Sequence, residues 1–438
     1  MSHQGTDPAI QPAYRYNAPG RPLRLYKGQI SGVASDRPLR GEIRMDTSSN
    51  MSIAWRVDPA GSIAFGKRAL SLNLNGALKS RPIEAFMRTW EAGWINEAEL
   101  GSTSVKLAQA KLHWFNLPAL RSARLVQSSE SGTPDFYRWE MEVAGWRLRL
   151  DRRSDYRAVW ADLHSSDKFL MTHVMEVAKA DATDFTVDEL KSLRLALHMA
   201  FSFAFGCHIA PALPVGYDRL GRAVWKHWFV PHCDPARSIS PGWWAEFQGA
   251  DLDSYLQLAI PALSDSLLGE RLRYQTMFAI ACMIPTGFLE PRIMVGFAGL
   301  EHFIWHRLVV DRQMSRSAFD QLKGHERLRH VLNSASIPVN LEPAITPALH
   351  AFAQAEVVRQ GRMLDAADIA TQIRNRIVHP TDLPRLVYHI NDLITEAWAL
   401  TRHFLTLLIL HALGYRGSQR DLRRLTGSAH DVAPVPWS

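Results

Sequence analysis

A chain of 438 residues with 47% hydrophobic and 21% charged side chains has the composition of a folded globular protein, which excludes wholesale disorder. The 50 Lys and Arg residues outnumber the 43 Asp and Glu residues, an excess that is compatible with a polyanionic partner but does not require one. The three cysteines, Cys207, Cys233 and Cys282, are too few for a secreted disulfide framework, so a reducing cytoplasm is expected.

The first 164 residues are predicted to form a leader and a β-rich domain. Residues 1–22 are rich in Pro, Gly and Gln, which indicates a flexible leader with neither signal peptide nor membrane anchor. Residues 23–164 alternate apolar and polar side chains between Gly, Pro and Asn, and this pattern predicts a sandwich-like domain, with a barrel as the alternative. Gly145 is expected to mark a bulge or a turn between two strands.

Residues 165–289 are predicted to form a mixed, mainly helical middle domain. Thr186 is a candidate helix N-cap with Glu189 three residues later, and the helix that follows should end at Gly206. Further helices are expected over about 251–283. The tryptophans between them, favoured as packing anchors over a base-stacking surface, are Trp225, Trp228, Trp243 and Trp244.

Residues 290–414 carry helical signals throughout, which predicts an all-α domain of about five helices. The longest helix should begin near Pro384, with Asp382 as its cap, and end at Gly414. Its apolar run, Phe404 to Leu413, is too short to cross a bilayer and is expected to be buried. Residues 415–438 are predicted to be a basic, solvated tail, with phosphate binding as the alternative. The expected fold class is therefore α+β and multidomain.

The helix predicted from Asp365 to His379 is the most informative stretch of the sequence. Asp365 is a suitable N-cap, and Pro380 disfavours helical geometry at the residue before it, so the helix should end at His379. A buried stripe with a spacing of four is formed by Ile369, Ile373 and Ile377. Asn375 and His379, four residues apart, lie on the opposite side of the helix, on a face that the core does not need. Because the helix ends before Pro380, the imidazole of His379 is expected to turn so that it converges with Arg374 and Asn375.

Three side chains at the end of this helix suit metal-independent cleavage of RNA by its own 2′-hydroxyl. An imidazole is the side chain best suited to transfer a proton near neutral pH, so His379 is expected to take or give one. Arg374 can hold the scissile phosphate and neutralise charge on its oxygens, and Asn375 can fix either neighbour by hydrogen bonding. The alternative is structural, since an Arg and a His five residues apart are common in helices and a His before Pro is often a helix cap.

The stretch IRNRIVHP resembles the R-N-x-x-x-H signature of HEPN ribonucleases. The earlier segment FAGLEHFIWHRL resembles the first helix of that family, with Glu301 as its characteristic glutamate. The N-terminal texture, including HWFNLP and LALHMAFSFAFG, resembles the ApeA-like HEPN proteins associated with bacterial defence against phage. The resemblance implies a C-terminal HEPN-like helical bundle that cuts RNA without a cofactor, in a composite site formed by a homodimer.

Two other functions stay open. The resemblance also allows a non-catalytic HEPN module that binds RNA or protein as a scaffold. A weaker alternative is a zinc site, whose candidate ligands are Cys207, His208, His227, His232 and Cys233. Their adjacent pairs lack the separation of two to four residues that is typical of structural zinc sites. The leading expectation is a cytoplasmic ribonuclease that acts as a regulated toxic effector in abortive infection and does not associate with membranes.

Overall fold

The computed structural model describes residues 7–33, 38–48, 50–58, 66–74, 78, 82–89, 92–120, 124–127, 134–163, 168–236, 241–245, 248–265, 268–284, 287–379, 387, 390–425 and 431–438. Contacts divide the chain into two compact units. The first comprises Met1–His198 and His208–Ser238, and the second comprises Met199–Cys207 and Ile239–Ser438. The structure is thus mixed α/β, with a β-rich N-terminal region and a helical C-terminal region, as predicted at that level.

Six strands of the first unit close into a barrel. They are β1 (Leu23–Ser31), β2 (Leu39–Asp46), β3 (Ser52–Val57), β4 (Lys67–Leu72), β5 (Ile83–Thr89) and β6 (Ala92–Ile95). The order around the barrel is β1-β2-β3-β6-β5-β4, and the pairing of Ile30 with Leu72 joins the two ends. Alternate residues point inward, as Ile53, Trp55 and Val57 do in β3. Of the two predicted architectures, these six strands form the barrel and not the sandwich, because the outer strands β1 and β4 pair with each other.

The rest of the first unit is built around an eight-stranded sheet. Its elements are β7 (Glu97–Gly101), β8 (Lys106–Leu107), β9 (Gln109–Phe115), β10 (Arg124–Gln127), β11 (Pro134–Val143), β12 (Trp146–Arg152), α1 (Tyr156–Leu163), β13 (Met171–Lys179), β14 (Phe185–Thr186), α2 (Val187–Phe205), β15 (Pro211–Tyr217) and β16 (Ala223–Phe229). The strand order is β10-β11-β12-β13-β9-β15-β16-β7, and β14 pairs with β8 in a sheet of two strands.

Two local predictions in this region are confirmed. Ala144 and Gly145 form a two-residue hairpin turn with positive φ angles of 50° and 75°. Thr186 and Glu189 cap α2 reciprocally, because each side chain accepts the backbone N–H of the other, at 3.1 and 2.8 Å. The helix ends before Gly206, whose φ is +68°.

The expectation of a mainly helical segment over 165–289 needs correction. β13, β15 and β16 all belong to the eight-stranded sheet, and β13 pairs with β12 across the predicted boundary at 164/165. The first five residues of β13 are all buried, so the strand does not show the alternation that marks a half-exposed strand. The helices expected over about 251–283 are present. The domain boundaries themselves stay predictions.

The segment 7–22 makes specific contacts with the first unit, where a flexible leader was expected. The backbone N–H of Ala13 donates to Nε2 of His113 at 3.1 Å, and the His113 Nδ1 lies 2.9 Å from the carbonyl of Leu213. Tyr14 is buried, and its hydroxyl accepts from Nε1 of Trp228 at 2.8 Å. A neutral imidazole with its proton on Nδ1 satisfies both bonds of His113.

The second unit is helical. Its elements after the end of α2 are α3 (Gly249–Ser264), α4 (Leu268–Met283), α5 (Leu289–Trp305) with a π-helical extension (His306–Val310), α6 (Arg316–Gln321), α7 (Gly324–Ser334), α8 (Pro347–Gln360), α9 (Ala366–Val378), α10 (Leu393–Ala412), β17 (Ser418–Arg420) and β18 (Val432–Pro434).

Helices α4, α5 and α10 form the packed centre of this unit. Gly299 lets α5 approach its neighbours closely. A Cβ at this position would lie 2.7 Å from Cδ2 of Leu405 and 2.8 Å from Cβ of Phe278. The buried carboxylate of Glu396, on α10, accepts the backbone N–H groups of Ala348 and Leu349 at 3.1 and 2.9 Å. It thereby satisfies free donors at the start of α8, where a negative charge is favourable.

Two predictions for the end of the chain were wrong. The last long helix begins at Leu393 rather than Pro384, because Asp392 adopts a left-handed conformation with φ of 62°; Asp382 and Pro384 lie outside the described residues. The expected solvated tail is folded back instead. Arg420 is buried and donates to the carbonyl of Gly242, and β17 pairs with β18.

In the part of the chain that the structure describes, two helices have the length and hydropathy of a membrane-spanning segment. They are Leu289–Val310, including the π-helical extension, and Leu393–Ala412. In the second helix, 89% of the most apolar window is buried inside the protein, as in the core helix of a soluble protein. Phe404 to Leu413, expected to be part of a buried helix, lies mostly within it.

Acidification should destabilise the first unit through its buried histidines. Burial lowers the pKa of His113 to about 4 and that of His173 to about 3. In the unfolded chain these histidines have a pKa of about 6.5, so below that pH the unfolded chain binds more protons than the folded chain. The free energy of unfolding therefore decreases as the pH falls from about 6.5 toward 4. We expect the free energy of unfolding, measured with urea, to be lower at pH 5 than at pH 7 by about 1 to 2 kcal/mol per buried histidine. His113→Gln should reduce that difference, and an unchanged difference would contradict the assignment.

Gly299→Ala should lower the free energy of unfolding by about 1 to 2 kcal/mol, because the clash with Leu405 and Phe278 outweighs the gain in helix propensity. Gly324→Ala is the matched control, since its Cβ would meet only Cγ2 of Thr371 at an ordinary 3.6 Å. The control should be neutral or slightly stabilising in the same urea titration. Equal effects of the two substitutions would show that α5 is not closely packed.

Candidate functional site

The helix predicted to carry the chemistry is α9, and both of its ends lie where the sequence indicated. Asp365 is the N-cap: its carboxylate accepts the N–H of Asp368 at 2.9 Å, and the Asp368 carboxylate accepts the N–H of Asp365 at 3.2 Å. The helix ends at Val378, and His379 adopts φ of −126° and ψ of 73° as its C-cap. Pro380 lies outside the described residues. Of the predicted apolar stripe, Ile369 and Ile373 are buried and Ile377 is half-buried.

The start of α9 is held by a cluster of charges. Arg362 binds the buried carboxylate of Asp368 with both Nη atoms, at 2.7 and 3.0 Å. Arg329 binds the same carboxylate at 2.7 Å and also pairs with Asp365. Burial opposes ionisation of Asp368, but the hydrogen bonds from Arg362 and from the backbone of Asp365, together with the charge of Arg329, outweigh it. The pKa of Asp368 therefore lies well below its ordinary value.

At the other end of α9, Arg374 contacts two other predicted site residues, Asn375 and Glu301. Arg374 Nη1 donates to Oδ1 of Asn375 at 3.1 Å, and its Nη2 donates to Oε1 of Glu301 at 3.3 Å. The buried Nε of Arg374 has no hydrogen-bond partner within the described part of the chain. Glu301, on α5, is 62% exposed, so its carboxylate can be displaced by another anion without leaving a buried charge unpaired.

Arg374, Asn375 and Glu301 open into a cavity of about 740 Å³ between α5, α7 and α9. Besides Glu301, the charged or titratable side chains that line it are Lys323, His325, Arg327 and Arg374. Positive groups therefore predominate, and they surround the guanidinium that the sequence singled out. A cavity of this character is suited to an anionic ligand.

One wall of the cavity is aromatic. Trp305 and Phe319 both line it and meet edge to face, with ring centroids 5.3 Å apart. The guanidinium of Arg327 lies 4.0 Å from the centroid of Phe319, and its Nε donates to the Phe319 carbonyl at 3.1 Å. The wall is thus a fixed surface of rings next to cationic groups, a combination that occurs where proteins bind single-stranded nucleic acid.

His379 is not brought together with the other predicted residues. It is exposed at the C-terminal end of α9 and is absent from the cavity lining. Its backbone N–H donates to the carbonyl of Asn375 at 2.7 Å, as the last bond of the helix. Within the residues that the structure describes, no hydrogen bond, ion pair or ring contact joins its imidazole to the side chains of Arg374, Asn375 or Glu301. Within one chain, Arg374 therefore lines the cavity, whereas His379 lies outside it and is exposed to solvent.

Sequence reasoning missed the contribution of α7 to this cavity. Lys323, His325 and Arg327 belong to the basic run KGHERLRH, which could have been noticed as a charge cluster. Nothing in that run distinguishes residues that line a cavity from residues on a solvated helix face. Only the packing of α7 against α9 makes the difference.

The zinc alternative finds no support in the described residues. The rings of His208 and His232 lie close together, with centroids 3.7 Å apart and planes tilted by 31°. Nevertheless, no group of three or more His, Cys, Asp or Glu side chains in the described part of the chain is arranged to hold a metal ion. The tryptophans considered as a stacking surface are at most 1% exposed and are packing anchors; they are Trp225, Trp228, Trp243 and Trp244.

Two stretches of the chain match models of related protein domains. Residues 102–239 match the YopA central domain, and residues 278–430 match the YopA C-terminal domain. The second match contains the whole cavity and all four predicted site residues. The first match, like the eight-stranded sheet, extends across position 164/165, where the sequence predicted the boundary between the β-rich domain and the middle domain.

The chain is also similar over nearly its full length to a protein of Bacillus subtilis (strain 168), the SPbeta prophage-derived uncharacterized protein YopA. The two are 25% identical over 439 residues, which covers 95% of each chain. No solved structure matches the chain at a significant level.

Glu301→Gln should strengthen binding of a polyanion, because it removes the carboxylate that competes for Arg374. We expect several-fold tighter binding of fluorescent poly-U by anisotropy, with the largest gain at low salt. Stability should change by less than about 1 kcal/mol, since the ion pair is exposed. Glu290→Gln, on the same helix but outside the cavity lining, is the control. If both variants bind like the wild type, Glu301 does not occupy an anion site.

Proposed function

We propose that this chain is a metal-independent endoribonuclease of the HEPN type, similar to the ApeA-like HEPN proteins, and that its helical C-terminal region is a HEPN-like bundle. The observation that carries the proposal is the position of Arg374. Its guanidinium is held by Asn375 and Glu301 at the mouth of a predominantly cationic cavity with an aromatic wall. These are the features that a site for an RNA phosphate and its neighbouring base requires.

In the proposed reaction, the 2′-oxygen attacks the adjacent phosphorus, and the bond from phosphorus to the 5′-oxygen breaks. Arg374 replaces the contact of its Nη2 with Glu301 by a contact with the phosphate, as charge accumulates on the phosphoryl oxygens. Asn375 keeps the guanidinium in place through its side-chain oxygen. His379 gives or takes a proton.

A homodimer would bring His379 to the phosphate. Because His379 is exposed and lies outside the cavity of its own chain, the proposal places it opposite the Arg374 of a second copy, through a contact between the helical regions. A two-fold arrangement makes two equivalent composite sites. The similarity to a prophage-derived protein is compatible with a role in conflict between phages and bacteria, and we place the enzyme in the cytoplasm as a regulated toxic effector of abortive infection.

The alternative function is a non-catalytic HEPN module that binds RNA or protein as a scaffold. The separation of His379 from Arg374 within one chain favours it, because a binding site needs the guanidinium and the cavity but not the imidazole. The two functions differ in turnover, so a cleavage assay distinguishes them.

Purified protein should cut single-stranded RNA in excess EDTA and leave 2′,3′-cyclic phosphate ends. Arg374→Ala and His379→Ala should each reduce the rate by about 100-fold or more, since each removes charge stabilisation or proton transfer. Arg219→Ala, which breaks an exposed ion pair with Asp184 in the first unit, is the control and should cut normally. Tight RNA binding with no cleavage by the wild type would favour the scaffold.

A further inference from the structure

A second histidine shares the cavity with Arg374 and Asn375. His325 follows Gly324 at the start of α7, and Gly324 lies against Thr371 of α9, since a Cβ there would be 3.6 Å from Cγ2 of Thr371. Thr371 is one helical turn before Asn375, on the same face of α9. The packing of α7 on α9 therefore brings an imidazole beside the residues proposed to bind the phosphate.

His325 is backed by a fixed carboxylate. Its Nε2 lies 3.6 Å from Oδ1 of Asp368, which is 2% exposed. Asp368 cannot turn away, because Arg362 and Arg329 bind both of its oxygens. A rigid carboxylate next to an imidazole restricts the ring orientation and offsets the positive charge that the ring acquires when it takes up a proton.

The same helix thus supplies two parts of one site. Asp368 lies in the first turn of α9, and Arg374 and Asn375 lie in its last turns, about 9 Å further along the axis at 1.5 Å per residue. The charged groups around His325 come from three helices and the loop before α9. Those near its own position in the chain are Lys323, Glu326, Arg327 and Arg329. The others are Asp365, Asp368 and Arg374 near or on α9, Glu301 on α5, and Arg362 in the loop.

We propose that His325 is the general base of this cavity, whereas His379 of a second copy is the general acid. This assignment rests on the proposed ribonuclease function. His325 takes the proton of the 2′-hydroxyl as the 2′-oxygen bonds to phosphorus. His379 gives a proton to the 5′-oxygen as the phosphorus–oxygen bond breaks, so one proton is taken up and one is released, and the products are a 2′,3′-cyclic phosphate and a 5′-hydroxyl.

A substrate with a better leaving group distinguishes the proposed base, His325, from the proposed acid, His379. An RNA dinucleotide with sulfur in place of the bridging 5′-oxygen departs as a thiolate and needs no acid. We expect His325→Gln to lower the cleavage rate of normal RNA by about 100-fold or more, to lose the rise of rate with pH that a base produces, and to stay slow on the thio substrate. His379→Ala should recover most of its rate on the thio substrate.

The matched control is His330→Gln, on the exposed face of the same helix, which should cut like the wild type. Unfolding midpoints of the variants show whether α7 is still folded, and imidazole added to His325→Ala should restore part of the rate, which a merely structural role would not allow. If the wild type cuts RNA and His325→Gln retains its rate and pH profile, the assignment of His325 is wrong and the ribonuclease stands. If His325→Gln is the variant rescued by the thio substrate, the two roles are reversed. If the wild type does not cut, both proposals fail.

Discussion

The paired carboxylates at the start of α9 are the constraint on which the candidate site depends. Asp365 and Asp368 cap the helix reciprocally, and the positive charges of Arg329 and Arg362 neutralise the two carboxylates. Removing one partner from such a cluster leaves a buried charge uncompensated, which is far more costly than losing a surface ion pair. Because the helix is anchored at its first turn, Arg374 at its far end has a fixed position relative to α5 and α7.

Local signals in the sequence predicted the ends of helices well. The caps at Thr186 and Asp365, the turn at Gly145 and the end of α9 at His379 all depend on residues within a few positions of each other. The sequence could not show that β13 lies between β12 and β9, because strand pairing joins residues far apart in the chain and a strand buried on both faces shows no alternation.

The candidate site was predictable only in part, for the same reason. Arg374 and Asn375 are neighbours on one helix, and Glu301 could be included only through a family resemblance. His325 lies 49 positions before Arg374 in a run of charged residues, and only the contact of α7 with α9 reveals it. The expected convergence of Arg374 with His379 in one chain does not occur, because the side chains leave α9 in different directions and the cavity receives only the first.

The pairing of Arg374 with Glu301 gives the cavity a built-in counter-ion. A ligand with a single phosphate exchanges one ionic contact for another and gains little from the exchange. A polymer displaces Glu301 once, whereas each further phosphate that reaches Lys323 or Arg327 adds a contact at a cation that the structure does not pair with a carboxylate of the cavity lining. For the RNA ligand that we propose, an internal competitor of this kind would favour long chains over free nucleotides, which are abundant in any cell.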